Sequence, residues 1–301
     1  MTPDTMPITP TVSILVTVFN RQKYLAETLR SIGASSYQDW EAVVVDDCST
    51  DDSFAIAQEF GRADRRFRII RNEHNLGDYG NRMKAAGLAT GRFLKYVDSD
   101  DQIYPYGLQV MVDAMSRFPD AAVGLAHSMP EDMEPYPWCL DPEATYRKHF
   151  LERGCLGCGP SGAIIRRDLF EQAGGFRKDW GVLSDTELWL RLAASHPIVL
   201  LPPALVWWRR HAGQEFTRDD AADVYLAKGH NLAMKSLTNA DCPLKPVDRM
   251  AAVRRCKQHH ARRLLSLAVK NLRPATAYRL FRGSQLSIPD LVSGLRRYHS
   301  S

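Results

Sequence analysis

No stretch of this chain is apolar for long enough to cross a bilayer. The longest such run, Ile198 to Trp208, is broken by Pro202-Pro203 and falls well short of the roughly 20 residues that a spanning helix needs. The N-terminus, Met1 to Thr11, has no basic start and no apolar core, so it does not read as a secretory leader. Residues 1–10 are expected to form a disordered lead-in. Six cysteines without such a leader point to a reducing cytoplasm and free thiols. Cys155-Leu156-Gly157-Cys158 has the spacing of a metal or redox pair, but no second CxxC answers it and no thioredoxin-like pattern surrounds it, so the motif lacks its confirming context.

What the chain does have is room and ordinary globular chemistry. Its 301 residues can bury a full core as one large α/β domain with an appendage, or as two domains. The net charge of +4 hides an asymmetry. From Asp248 to Ser301 there are 12 Lys or Arg against 2 acids, which leaves 27 against 33 before that point. The basic charge therefore belongs to the tail.

Val12 to Phe19, Glu41 to Val45, Phe67 to Ile70 and Arg92 to Val97 are β-branched or aromatic runs. They alternate with helical spacing over Lys23 to Ile32, Ser53 to Phe60 and Tyr79 to Ala89. Strands alternating with helices of about ten residues imply βαβ units and a parallel sheet covered on both faces. In such sheets ligands sit beyond the carboxyl ends of the strands. Three of those ends, Thr17 to Arg21, Asp46 to Ser49 and Asp98 to Asp101, carry the most polar chemistry of the first hundred residues, and they are expected to converge on one cleft.

Glycine is missing where a phosphate loop would need it, since the first strand runs into Phe19-Asn20-Arg21-Gln22. A dinucleotide fingerprint, a P-loop and the glycine-rich loop of sugar-phosphate nucleotidyltransferases are thereby excluded. The remaining candidate for holding phosphates is Asp98 with Asp100. A strand's period of two places both on one side, and two carboxylates suit Mg²⁺ or Mn²⁺ whose other ligands are water and diphosphate oxygens. The competing structural reading is an acidic turn before a helix opened by Pro105.

Val12 to Asn20, Val43-Val44-Val45-Asp46-Asp47-Cys48-Ser49-Thr50-Asp51 and Val97-Asp98-Ser99-Asp100-Asp101 stand at spacings that closely resemble family 2 glycosyltransferases. Gly174-Gly175-Phe176, Ser184 to Leu192 and Arg209-Arg210-His211 extend the resemblance over roughly residues 10 to 215. It implies a GT-A fold, an α/β architecture with a single Rossmann-like, mostly parallel sheet flanked by helices, and an inverting, metal-dependent transfer from a nucleotide sugar. Carried over, it makes Thr17, Phe19, Asn20, Asp46, Asp47, Arg82, Asp98 and Ser99 the donor pocket. Asp100, Asp98 and His211 become the metal site, Ser161, Gly162 and Trp180 the acceptor side, and Asp185 the general base. His211 follows a strand expected over Ala204 to Trp208, and Gln214 is a weaker neighbour of it. A structural alternative for Asp185 is the capping box Ser184-x-x-Glu187, and for Asp46 to Asp51 a helix cap from Ser49 or Asp51.

On this reading residues 11–215 form the catalytic domain, with the donor half at about 11–101 and the acceptor half at about 102–215. Sugar selectivity is expected from loops such as Ser128 to Arg147. Residues 216–301 form a basic helical region, with helices over Ala221 to Leu237 and Val247 to Asn271. That region either packs with a solvated basic face or contacts anionic lipid as a basic amphipathic segment. The expected partners are a nucleoside diphosphate sugar, UDP foremost, and a glycan or lipid-linked acceptor, with no specific nucleic acid. The expected location is cytoplasmic, peripheral at the inner face of the membrane. No Gln-x-x-Arg-Trp motif of processive enzymes is present. Two rival classes are a sugar-phosphate nucleotidyltransferase and a non-enzymatic adaptor using the basic tail.

Overall fold

The computed structural model describes residues 9–126, 135–211, 214 and 221–295. The lead-in through residue 8 and part of the expected selectivity loop, residues 128–134, lie outside them. In chain order the first elements are β1 (Val12–Val18), α1 (Leu25–Gly33), β2 (Trp40–Asp46), α2 (Ser53–Ala63), β3 (Phe67–Arg71), α3 (Asp78–Gly87) and β4 (Phe93–Tyr96). There follow β5 (Gln102–Ile103), α4 (Gly107–Arg117), β6 (Val123–Ala126), β7 (Trp138–Leu140), α5 (Pro142–Leu151), β8 (Ala163–Arg166) and α6 (Arg167–Gln172). The last are α7 (Ser184–Ala193), β9 (Ile198–Leu201), β10 (Val206–Trp207), α8 (Ala221–Thr238), α9 (Pro246–Val269), α10 (Pro274–Gly283) and α11 (Ile288–Gly294).

The described residues fall into two compact units, one from Met1–Asp141 and Leu156–Arg210, the other from Pro142–Cys155 and His211–Ser301. The first unit contains an eight-stranded sheet in the order β3-β2-β1-β4-β8-β6-β9-β7. Its β3-β2-β1-β4 half is parallel throughout, while β8 runs antiparallel to both β4 and β6. Strands β1 and β2 are covered along almost their whole length, as continuous apolar runs require in a sheet with helices on both faces. The core joins Val12, Ile14 and Val16 of β1 to Leu25, Leu29 and Ile32 of α1 and to Trp40, Ala42 and Val44 of β2.

Three local expectations change. The strand expected to run to Val97 ends at Tyr96, and Asp98 to Asp101 form a turn closed by Asp101 N–H donating to the Asp98 carbonyl at 2.9 Å. Strand period therefore does not place Asp98 and Asp100; the turn does. Helix α4 begins at Gly107 with Tyr106 as its N-cap, two residues beyond Pro105. The strand expected over Ala204 to Trp208 is only β10, whose two residues pair with β5. All six cysteines are free thiols.

The second unit is helical. Its core gathers Leu226, Ala261, Leu264, Leu267, Ala277 and Leu286, and α9 is the element against which α5, α8, α10 and α11 pack. Ion pairs tie these helices to one another: Arg147 with Asp248, Arg273 with Asp223 at 2.6 Å and Lys257 with Asp290 at 3.3 Å. Ser287 and Asp290 form a capping box at the start of α11. No helix among the described residues is long and apolar enough to cross a membrane.

Candidate active site

The carboxyl ends of β1, β2 and β4 are knitted together by side chains that the parallel topology brings side by side. Asn20 has φ 53, a conformation Asn tolerates better than most residues. Its N–H donates to Ser49 Oγ at 3.0 Å and its Oδ1 accepts from Thr50 N–H at 2.9 Å. Arg21 N–H donates to Ser53 Oγ at 2.7 Å. Asp51 accepts from Gln22 N–H and Ser53 N–H, so it joins both loops, while the N-cap of α2 is Asp52, which makes no side-chain cap bond. Thr17 lies half-buried near the end of β1, and beside it Phe19 is 45% exposed, an apolar face open at the cleft.

Asp46 and Asp47 sit at the end of β2, almost fully buried. Asp46 Oδ2 accepts from Ser49 N–H at 3.0 Å and lies 3.4 Å from Arg71 Nε, while its Oδ1 is buried with no hydrogen-bond partner among the described residues. Asp47 organises the segment after β3. Its Oδ1 accepts from Asn72 Nδ2 at 2.6 Å and Leu76 N–H at 2.8 Å, and its Oδ2 from Gly77 N–H at 3.0 Å. Asn would set an amide N–H against one of these donors. Asp47→Asn is therefore expected to cost about 1–3 kcal/mol of stability, read as a lowered thermal midpoint.

Beyond β4 the carboxylates gather. Arg82 is buried on α3, with Nε 2.8 Å from Asp78 Oδ1 and Nη2 2.8 Å from Asp98 Oδ1. Burial opposes its charge, but Asp78 and Asp98 outweigh burial and raise its pKa, and Nη1 is buried without a hydrogen-bond partner among the described residues. Asp100 Oδ2 is held by Arg21 Nε at 3.2 Å, and Ser99 is 5% exposed in the same turn. Burial, then Asp98, pushes the Asp101 carboxyl up to about 7.

Ser161, expected on the acceptor side, braces this turn from β8's flank. Its Oγ accepts from Asp98 N–H at 2.9 Å, and its carbonyl accepts from Lys95 Nζ. Lys95 is completely buried, and burial lowers its pKa to about 8 against the opposing pull of Cys158, Asp98 and Asp101. Gly162 is a position of close approach, since a Cβ there would meet Cys158 Sγ. Trp180 is half-buried in the short helical turn Lys178–Leu183 that leads into α7.

The capping box expected at Ser184 does not form. The N-cap of α7 is Leu183, and Ser184 Oγ donates backwards to the Arg177 and Gly181 carbonyls at 2.8 and 2.7 Å. Glu187 is drawn away by Arg177 and Arg191 at 3.1 and 2.8 Å, since a buried carboxylate gains more from two guanidiniums than from one backbone N–H. Asp185 lies in the first turn of α7, where its Oδ1 accepts from Thr186 N–H and Oγ1. Burial pushes its carboxyl up to about 6, opposed by the Thr186 bonds and Arg82 and aided by Asp98. Tyr79 is raised by burial and by Asp185. Asp185, Arg82, Asp98 and Tyr79 thus share one electrostatic neighbourhood.

Sequence reading alone gives no role to Arg21, Lys95 or Arg209. Arg209 N–H donates to Asp101 Oδ1 at 3.1 Å and its Nε to the Asp100 carbonyl at 2.8 Å. The available signal is position, because Arg21 follows Asn20 and Arg209 opens the Arg-Arg-His run. His211 and Gln214 belong to the second unit, where His211 N–H donates to Gln214 Oε1 at 2.9 Å.

Among the described residues no three His, Cys, Asp or Glu side chains gather into a metal cage. Asp98 and Asp100 nevertheless fit a Mg²⁺ or Mn²⁺ that takes its other ligands from diphosphate and water. Carboxylate oxygens gathered in one turn are the hard donor set that such an ion takes.

This fold, with its carboxylate turn beyond β4 and a perturbed carboxyl on α7, defines a GT-A glycosyltransferase. Residues 13–174 match Glycosyl transferase family 2, and the chain belongs to that family. It is 31% identical over 232 residues to an uncharacterized protein of Mycobacterium tuberculosis, covering 70% of this chain and 71% of that one. It is also 31% identical over 104 residues to the GalNAc(5)-diNAcBac-PP-undecaprenol beta-1,3-glucosyltransferase of Campylobacter jejuni, covering 34% of each. The chain thus spans about a third of the length of that enzyme. Among solved structures, S. aureus TarS 1-349 in complex with UDP-GlcNAc superposes with TM-score 0.64 at 18% identity, covering 94% of this chain and 90% of that one. The mannosyltransferase PcManGT of Pyrobaculum calidifontis, in complex with GDP-Man and Mn²⁺, gives TM-score 0.64 at 18% identity, covering 94% and 78%.

Proposed function

We propose that this glycosyltransferase moves one sugar from a nucleoside diphosphate sugar to a hydroxyl of a glycan or lipid-linked acceptor, with inversion, in assembly of a cell-surface polysaccharide. The observation that carries the reading is Asp185, a carboxyl held at a helix start and pushed up to about 6, close to the value a general base needs near neutrality. It takes the proton from the acceptor hydroxyl as that oxygen attacks the anomeric carbon opposite the leaving diphosphate. No covalent intermediate is required, and the configuration inverts. Thr17, Phe19, Asn20, Asp46 and Asp47 line the nucleotide end, and Ser99 and Arg82 the sugar-diphosphate end, where the open Nη1 of Arg82 is a donor for it. Gly162 and Trp180 border the acceptor side.

Asp98 and Asp100 would hold Mn²⁺ or Mg²⁺, and a bound ion would supply charge stabilisation to the departing diphosphate. The named neighbours support this: a TarS structure contains UDP-GlcNAc and the PcManGT structure GDP-Man and Mn²⁺, while the Campylobacter relative is named for a polyprenyl-linked acceptor. Proton NMR of the first product formed tests the mechanism. An anomeric coupling opposite in configuration to the donor is expected, and retention would sink it.

We further propose that the enzyme works at the inner face of the membrane, through the basic residues 248–301. Co-sedimentation with anionic vesicles that is lost at high salt is the expected result. Equal sedimentation with neutral vesicles would contradict it.

A further inference from the structure

From Arg249 to Pro289 the chain holds ten Lys or Arg and no Asp or Glu. The helices of this stretch bury their apolar sides in the core of the second unit. The corner between α9 and α10 is different, because large apolar side chains stay outside. Val269 is 71% exposed, Leu272 82% and Tyr278 64%. Leu272 is unfavourable twice over. Its φ is 53, in the left-handed region that a leucine adopts at a cost and a glycine does not. The turn that holds it there is closed by Arg273 N–H donating to the Leu267 carbonyl at 3.1 Å.

Basic side chains are interleaved with these apolar ones. Lys270, Arg279 and Arg282 are exposed and make no ion pair among the described residues. Arg282 and Tyr278 are four apart on α10, which puts them on one face. Asp223 reaches the corner from α8, and Arg273 covers its carboxylate at 2.6 Å. An anionic bilayer meets both properties at once, since its headgroups pair with the cations and its acyl boundary takes the apolar side chains. A protein partner fits less well, because lysine is depleted in protein interfaces. A second copy of the chain would set like charges against each other. Nucleic acid would pair with the charge and leave Val269 and Leu272 in water.

We propose that the α9–α10 corner is the part of the chain that enters an anionic membrane, with Val269 and Leu272 reaching the acyl boundary and Lys270, Arg279 and Arg282 on the headgroups. Tyr278 lies at headgroup level, its ring inward and its hydroxyl in water. This rests on the membrane location proposed above and adds an apolar component to the electrostatic one. Val269 and Leu272 bring fewer carbons than a myristoyl chain, itself only a marginal anchor. Binding therefore still needs the charge and is still lost at high salt.

The test uses the full chain and co-sedimentation with vesicles of phosphatidylcholine mixed with phosphatidylglycerol. Leu272→Gln is expected to weaken partition onto them about 10-fold, through loss of a partly inserted apolar side chain. Leu272→Gly should weaken it as much while raising the thermal midpoint, since glycine relieves the left-handed backbone. A leucine with only a structural role would lower that midpoint on removal and leave partition unchanged. Met250→Gln, also at an exposed position but roughly 28 Å away along α9, should bind as wild type does. Vesicle binding that both Leu272 variants retain in full would overturn the corner and leave the membrane location standing, whereas no binding by wild type would overturn both. Wild-type self-association without lipid that Leu272→Gln abolishes would make the corner a contact between copies. Salt-sensitive RNA binding that Leu272→Gln abolishes would make it a nucleic-acid surface, and either result overturns the proposal.

Discussion

Asp185→Asn is expected to lower kcat by about 10²–10⁴-fold, the usual worth of a positioned general base, while the dissociation constant of the donor stays within a factor of two or so. Asn keeps the shape and can still accept from Thr186, so the helix start survives, but it cannot take a proton. The pH profile follows from the same environment. With the Asp185 carboxyl at about 6, kcat should rise as pH increases through 6 and level off above 7, and that rising limb should vanish in the variant. Stability gives an independent sign. A carboxyl whose folded pKa is raised binds its proton more tightly in the folded than in the unfolded chain, so its contribution is favourable at low pH and lost as pH rises through 6. Replacing it with neutral Asn is expected to raise the thermal midpoint at pH 7.5. An inactive variant of lowered stability with impaired donor binding would instead mark Asp185 as structural.

The second large effect concerns the carboxylate turn. Asp100→Ala is expected to abolish metal-dependent binding of the nucleoside diphosphate sugar, a loss of at least about 10²-fold in affinity, since Asp98 and Asp100 would hold the ion that offsets the diphosphate's charge. Chelator should reduce wild type to the same level and leave the variant where it is. The turn itself should persist, because its closure is the backbone bond from Asp101 to Asp98 and its bracing is Ser161 on the Asp98 N–H. Removing Asp100 releases Arg21, and a guanidinium freed at the site gives residual, metal-independent anion binding. Calorimetry with and without Mn²⁺ separates the two contributions.

The half of the sheet that carries the donor chemistry is legible in the sequence because its strands are long, buried and separated by well-spaced helices. Runs such as Ile14-Leu15-Val16 and Val43-Val44-Val45 leave little choice of element, and parallel topology then dictates that their carboxyl ends share a cleft. The reciprocal bonds that join Asn20 and Gln22 to Ser49, Thr50 and Asp51 are the physical form of that convergence. Strands β6 and β8 have four residues each and antiparallel partners distant in sequence, and nothing in so short a run separates strand from helix. Ser161 and Lys95 act through tertiary contacts that no local spacing encodes. Ser184 shows the opposite failure, where a complete local motif is overridden because Arg177 and Arg191 hold Glu187. The basic tail is visible as charge, but which of its apolar side chains stay exposed depends on how α10 packs on α9.

Metal-dependent transfer through Asp100 and Asp185 stands or falls on nucleoside diphosphate release. The assay takes a panel of UDP-, GDP- and dTDP-sugars with Mn²⁺ or Mg²⁺, and compares wild type with Asp100→Ala and Asp185→Asn. Release from one donor, lost with chelator and in both variants, is the expected result. Metal-independent release that both variants retain would overturn the assignment.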